Sequence, residues 1–146
     1  APSAVARLVD LGLQPFLVAS SIRAIMAQRL VRRLCLHCKQ PGTLSETDLR
    51  ALGIEASQLS DAQVMQPGGC DQCRGLGYRG RVGIFEIFEI DDEVRHMVND
   101  KRSTLLLRQK ARTLGMRTLR EDGVRKVLAG MTSAEEVISM TLGDLN

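Results

Sequence analysis

Apolar residues near the amino end of the chain recur at helical spacing. Val5, Leu8, Val9 and Leu11 fall three or four residues apart or adjacent, with Ser3 placed to cap a helix and Gly12 to stop it. Pro15 opens a second apolar stretch, Phe16-Leu17-Val18-Ala19, after which Ser20 or Ser21 is expected to cap a helix carrying Ile22, Ile25 and Met26. Residues 28 to 34 should leave that helix and turn into a strand. Further on, Leu44 to Gly53 holds a cap, early acids and a terminal glycine, which together predict a short helix. Residues 54 to 69 are polar and predicted irregular, with Val64 and Met65 a brief extended piece.

The clearest strand pattern is Arg81 to Ile90, where Phe85 and Ile87 alternate with Glu86 and its neighbours. Asp91-Asp92-Glu93 then places acids at the start of a helix, where the helix dipole favours them. Val94 and Met97-Val98 mark one short amphipathic turn. Ser103 caps a helix over 105 to 114, ended by Gly115, and Leu119, Val124, Val127 and Leu128 make another, ended by Gly130. Thr132 or Ser133 with Glu136 resembles a capping box for a last helix carrying Val137, Ile138 and Met140. The pattern is mixed α/β and helix-rich, with a helical bundle at the C-terminal end. These apolar positions match core packing better than a cofactor site. Asp91, Asp92, Glu121 and Asp122 read as caps or solvated acids in preference to catalysts.

Composition adds little to that picture. The 146 residues are 44% hydrophobic and 25% charged, enough to bury a core, and hold no apolar run long enough to cross a bilayer. Net charge is +3, and aromatic content of 3% leaves few surfaces for stacking bases, so nucleic acid is not an expected partner. Basic residues interleave with acids except near the cysteines, where Arg32, Arg33, Lys39, Arg74, Arg79 and Arg81 gather. The chain opens on Ala1 and not on Met, which reads as a piece of something longer.

The cysteines change the picture most. Cys35-Leu-His-Cys38 and Cys70-Asp-Gln-Cys73 hold all four in the chain, in two Cys-x-x-Cys pairs. Two thiolates from one tight turn can reach the same ion, and Zn2+ prefers four sulfurs in a tetrahedron, so the pairs predict one structural zinc per chain. Four protein ligands leave no place for an activated water. Disulfides are disfavoured in a chain without a signal peptide and with enough residues for a core, and a redox Cys-x-x-Cys would leave the second pair idle. His37 lies inside the first pair as a possible competitor, but the sulfurs already complete the shell. A single Cys70-x-x-Cys73-x-Gly75-x-Gly77 run also matches one repeat of the DnaJ-type zinc modules, which keeps a zinc-ribbon module for nucleic acid or protein as an alternative. No phosphate-cradling Gly-x-x-x-x-Gly-Lys-Ser/Thr segment occurs, so this stretch alone should not hydrolyse nucleotide.

Several runs together resemble a known family. They are Gln28-Arg29-Leu30-Val31-Arg32-Arg33-Leu34-Cys35-x-x-Cys38-Lys39; Gly69-Cys70-x-x-Cys73-x-Gly75-x-Gly77-Tyr78-x-Gly80-Arg81-x-Gly83-Ile84-x-Glu86; Leu119-Arg120-Glu121-Asp122-Gly123; and Lys126-Val127-Leu128-Ala129-Gly130 with Thr132-Ser133-x-Glu135-Glu136-Val137. In this order they resemble the C-terminal part of bacterial type II secretion ATPases of the GspE/PulE type, with pilus-assembly ATPases of the PilB type close by. The resemblance implies the end of a RecA-like P-loop core in a homohexameric ring that binds ATP and Mg2+ upstream of this piece. It also implies a cytoplasmic motor working against an inner-membrane platform that assembles a pseudopilus. Residues 1–34 would be the end of the core, 35–78 an inserted tetracysteine zinc lobe, 79–90 a returning core strand and 91–146 a C-terminal helical subdomain. Arg81, in the glycine-rich turn, is a candidate nucleotide contact, since a guanidinium can stack on a base or pair with a phosphate; pairing with the thiolates or a nearby acid is the alternative.

Overall fold

Two long strands run through both halves of the molecule. A computed structural model describes residues 1–144. In it β1 (Ala24–Leu34) pairs with β4 (Tyr78–Glu89), and between them the chain makes a separate two-stranded sheet, β2 (Gln40–Pro41) antiparallel to β3 (Met65–Gln66), with Gln40 opposite Gln66 and Pro41 opposite Met65. The chain divides into two compact units: Ala1–Ala27 with Glu86–Arg117, and Gln28–Phe85 with the chain from Thr118 onward.

In the first unit, α1 (Ser3–Asp10) and α2 (Pro15–Ser21) precede β1, and α4 (Asp92–Asn99) and α5 (Thr104–Thr113) follow β4. Val5, Val18, Ala19, Phe88, Ile90, Val94, Val98, Leu107 and Ala111 form its buried core. Each large side chain buried there contributes roughly 1.5–3 kcal/mol. Asp91 caps α4 by accepting from the Val94 N–H at 2.8 Å, and Ser103 caps α5 by accepting from the Leu106 N–H at 3.3 Å. On the outside, Leu11, Leu13, Phe16 and Leu17 remain exposed around the α1–α2 connection.

The second unit contains α3 (Glu46–Leu52), two short 3-10 turns (Ala56–Leu59 and Asp71–Cys73), α6 (Leu119–Leu128), α7 (Ala134–Met140) and a closing turn over Leu142–Asp144. Leu52, Ile54, Val124, Val127, Ala134 and Val137 make its core. Caps are explicit here too: Ser45 accepts from Asp48 N–H, Thr118 from Glu121 N–H and Ser133 from Glu136 N–H. Gly53 ends α3 at φ +68°, a left-handed conformation that a side chain would strain.

Four expectations change. Residues 22 to 27 are not helical; β1 starts at Ala24, because pairing with β4 outweighs a helical spacing of Ile22, Ile25 and Met26 that is also compatible with a strand. Pro2, not Ser3, occupies the cap position of α1, and no side chain caps that helix. On β4 the inward set is Ile84 and Phe88, at 0% and 1% exposed, while Ile87 is 50% exposed; both faces of the strand carry apolar residues, so alternation alone does not choose between them. The capping box of α7 is half made, since the Glu136 carboxylate turns to the Arg32 N–H and Nε, each at 2.8 Å.

Candidate metal centre

The first cysteine pair begins where β1 ends. Cys35 follows Leu34 directly, its N–H donates to the Gly77 carbonyl at 3.0 Å, and its own carbonyl accepts from the Lys39 N–H at 3.0 Å, closing the turn that brings Cys38 round. The second pair is a 3-10 turn entered in extended backbone at Cys70 and left at Arg74 with φ +56°; Gly75 N–H then returns to the Cys70 carbonyl at 2.9 Å. Glycine is needed where the pairs approach each other. A Cβ on Gly68 would stand 2.3 Å from the Cys38 carbonyl oxygen, and one on Gly77 would stand 2.5 Å from the Pro67 Cβ.

All four sulfurs lie within 4.8 Å of one another, and no other group of His, Cys, Asp or Glu among the described residues is placed to share an ion. Cys35 to Cys70 is 3.8 Å, Cys38 to Cys73 is 3.7 Å and Cys70 to Cys73 is 3.8 Å. A tetrahedron with metal–sulfur bonds of about 2.3 Å has edges of about 3.8 Å, so the donor set fits Zn2+. The separations are far beyond the roughly 2.05 Å of a disulfide, and all four cysteines are free. Backbone amides point at the sulfurs: Gly69 N–H to Cys38 at 3.2 Å, and Cys70 and Gly77 N–H to Cys73 at 3.3 and 3.2 Å. Such donors favour thiolate and fix ligand orientation.

The thiols are unequal before any metal arrives. Burial, together with hydrogen bonds to the other three sulfurs, outweighs the Gly69 N–H, and Cys38 is pushed up to about 12. Burial also raises Cys73, but the Cys70 and Gly77 amides and the Cys38 and Cys70 sulfurs bring it down to about 6. The amides thus favour thiolate at Cys73, and a bound cation would favour it at all four sulfurs.

His37 lies outside the sulfur cluster, exposed at the tip of the first turn. Arg81 is exposed on β4, and its side chain has no hydrogen-bond or ion-pair partner, sulfur or acid, among the described residues. Two of the other nearby cations, Lys39 and Arg32, serve the α6–α7 turn. Lys39 Nζ donates to the Gly130 carbonyl at 3.0 Å, Arg32 pairs with Glu136 at 2.8 Å and lies 4.2 Å from the Tyr78 ring centroid, and the Tyr78 hydroxyl meets Ser133 Oγ at 2.7 Å. Sequence reading missed Asp122. It is 6% exposed, accepts from the Phe85 N–H at 2.9 Å and Lys126 Nζ at 2.8 Å, and so fastens α6 to β4. Lys126 completes the fastening by donating to the Gly83 carbonyl at 2.7 Å. Only the i,i+4 spacing of Asp122 and Lys126 hinted at this pair.

Comparison with known proteins gives the context. A family described as "Type II/IV secretion system protein" matches residues 1–139. The chain is 45% identical, over 97% of its length, to type II secretion system protein HxcR of Pseudomonas aeruginosa, and 43% identical over 97% to type II secretion system protein E of Aeromonas hydrophila. It is 39% identical over 97% to the type IV pilus assembly ATPase PilB of Thermus thermophilus. It spans 26%, 28% and 16% of those relatives' lengths, respectively. With nearly the whole chain matched, this protein belongs to the type II/IV secretion system protein family.

Proposed function

We propose that this chain is the C-terminal part of a hexameric ATPase that powers type II protein secretion by driving pseudopilus assembly, and that Cys35, Cys38, Cys70 and Cys73 hold one structural Zn2+. The observation that carries the zinc reading is the 3.7–3.8 Å spacing of the sulfurs. When bound, zinc supplies a fixed crosslink between the two turns and no open coordination position. The surrounding residues do the positioning. Gly69, Cys70 and Gly77 amides orient the sulfurs, and Lys39, Arg32 and Tyr78 tie the adjoining backbone to the α6–α7 turn.

In this reading residues 35–78 are a zinc lobe inserted between 1–34 and 79–90, the last pieces of a RecA-like core, with 91–146 a helical subdomain. The exposed Leu11, Leu13, Phe16 and Leu17 support a core that continues beyond this chain, since an apolar group of that kind marks a surface meant to be covered. ATP and Mg2+ belong to the full-length motor, which works on the cytoplasmic side against an inner-membrane platform. No helix among the described residues is long and apolar enough to cross a membrane. Arg81, whose side chain has no partner among the described residues, is the candidate to approach nucleotide in the ring.

The test uses the full-length motor. Cys35→Ser should abolish zinc retention and lower both ATP turnover and secretion in cells lacking their own motor; retained zinc, or full secretion without it, refutes the reading. Arg81→Ala with unchanged nucleotide affinity and turnover removes that residue's role. The pilus-assembly branch is the second reading, favoured by the relatives named as pilus ATPases at 39% to 41% identity. It predicts rescue of pilus formation instead of secretion.

A further inference from the structure

Beside the first cysteine turn lies a cleft of about 430 Å3 lined by Arg33, Leu36, His37, Arg79 and Gly80. Its chemistry is distinct from the sulfur cluster behind it. Leu36 and His37 are the two spacer residues of Cys35-Leu-His-Cys38, so the turn that gathers the thiols also pushes an apolar and an imidazole side chain outward; Leu36 is 66% exposed. Arg33 is exposed on β1 and Arg79 on β4. Gly80 sits at φ +78°, a left-handed conformation that a side chain would strain, with Arg33 Nη2 in ordinary contact at 3.5 Å from where a Cβ would stand.

The two guanidiniums lack acids of their own. Arg79 donates to the neutral Gln72 Oε1 at 3.2 Å, and neither Arg33 nor Arg79 has a carboxylate partner among the described residues. The nearby Arg32 and Lys39, by contrast, are engaged with Glu136 and the Gly130 carbonyl. Two forked donors flanking an exposed leucine complement a carboxylate followed by an apolar side chain. The cleft is too small and too poor in aromatic residues for a nucleic-acid track, and it has one apolar contact where a lipid surface would need a broad face and several lysines.

We infer that this cleft is a docking site for a partner protein's acidic segment, one in which Asp or Glu alternates with Leu or a similar apolar residue. The carboxylates pair with Arg33 and Arg79, and the apolar side chain covers Leu36. The inference needs the first cysteine turn to be ordered and is independent of the ATPase reading.

The experiment is a titration of the isotope-labelled, zinc-supplemented chain, followed by amide resonances, with acetyl-Glu-Leu-Asp-Leu-Glu-amide as the probe. Dispersed Leu36 and His37 resonances establish that the turn is ordered. The expected result is saturable shifts at Arg33, Leu36, His37, Arg79 and Gly80, none with the Gln/Asn version of the peptide, and about tenfold weaker binding in the Arg33→Glu, Arg79→Glu double variant. Arg7→Glu, an exposed reversal in the other unit, should bind as the parent does. If the reversed protein loses its dispersed spectrum, Arg33→Gln with Arg79→Gln serves in its place. No shift at these residues, or shifts unchanged in the folded double variant, overturns the proposal. So do shifts produced by inorganic phosphate or phosphatidylglycerol vesicles but not by the peptide, which would reassign the cleft to phosphate groups.

Discussion

At Gly77 a missing side chain decides whether two turns can meet. The residue sits at φ +81°, its N–H donates to Cys73 Sγ, and an added Cβ would strike Pro67 at 2.5 Å, whereas Gly75 at φ +77° has nothing within 4 Å. Gly77→Ala should therefore weaken zinc affinity by about 10- to 100-fold in a chelator competition, while Gly75→Ala costs only the left-handed backbone, roughly 1–2 kcal/mol of stability. Asp122 yields a pH prediction. Burial raises its carboxyl, but the hydrogen bonds from Lys126 and the Phe85 N–H, with the Lys126 and Arg125 charges, more than offset this and leave it below the usual carboxylate range. Its contribution is fully present above the ordinary carboxylate pKa and is lost as pH falls through the lower folded value. Denaturant midpoints between neutral and strongly acid pH should thus fall less in Asp122→Asn than in the parent; equal slopes would remove Asp122 from the acid response. The cysteines were legible because two tight spacings suffice to specify a tetrad. Asp122 was not, because the Phe85 N–H lies 37 residues away and nothing local announces it.

Among the elements, helices α3, α4, α5 and α7 could be read from the residues at their starts, since Ser45, Asp91, Ser103 and Ser133 each accept an N–H three residues ahead, whereas α6 was legible from its apolar spacing and not from its Thr118 cap. Local chemistry sets those boundaries. The start of β1 depends on a partner strand that local chemistry does not contain, and β2 at Gln40–Pro41 exists only because Met65–Gln66 comes alongside. Packing can also reverse a propensity. Gly123 lies inside α6, where alanine would ordinarily gain about 1 kcal/mol, but an added Cβ would stand 2.5 Å from Val137 Cγ1 on α7. Gly123→Ala should destabilise the second unit by about 1–3 kcal/mol in chemical unfolding. A stabilised variant would mean that α6 and α7 pack less closely than described.

On the scale of the whole molecule, the two units differ in what holds them. The first has a continuous apolar core drawn from four helices and the end of β4, with Ile25 of β1 packed against it. The second combines a smaller core with the cysteine turns, and the loop from Cys38 to Cys70 carries only short elements of its own. A crosslink at the base of such a loop would offset its closure entropy, which supports the structural role proposed for the sulfur cluster. X-ray absorption at the zinc edge of the metal-loaded chain tests that assignment most directly. Four sulfur neighbours at about 2.3 Å, with one zinc per chain, are predicted. A purified, folded chain that binds no zinc, or a zinc shell containing nitrogen or oxygen in place of any cysteine, would contradict it.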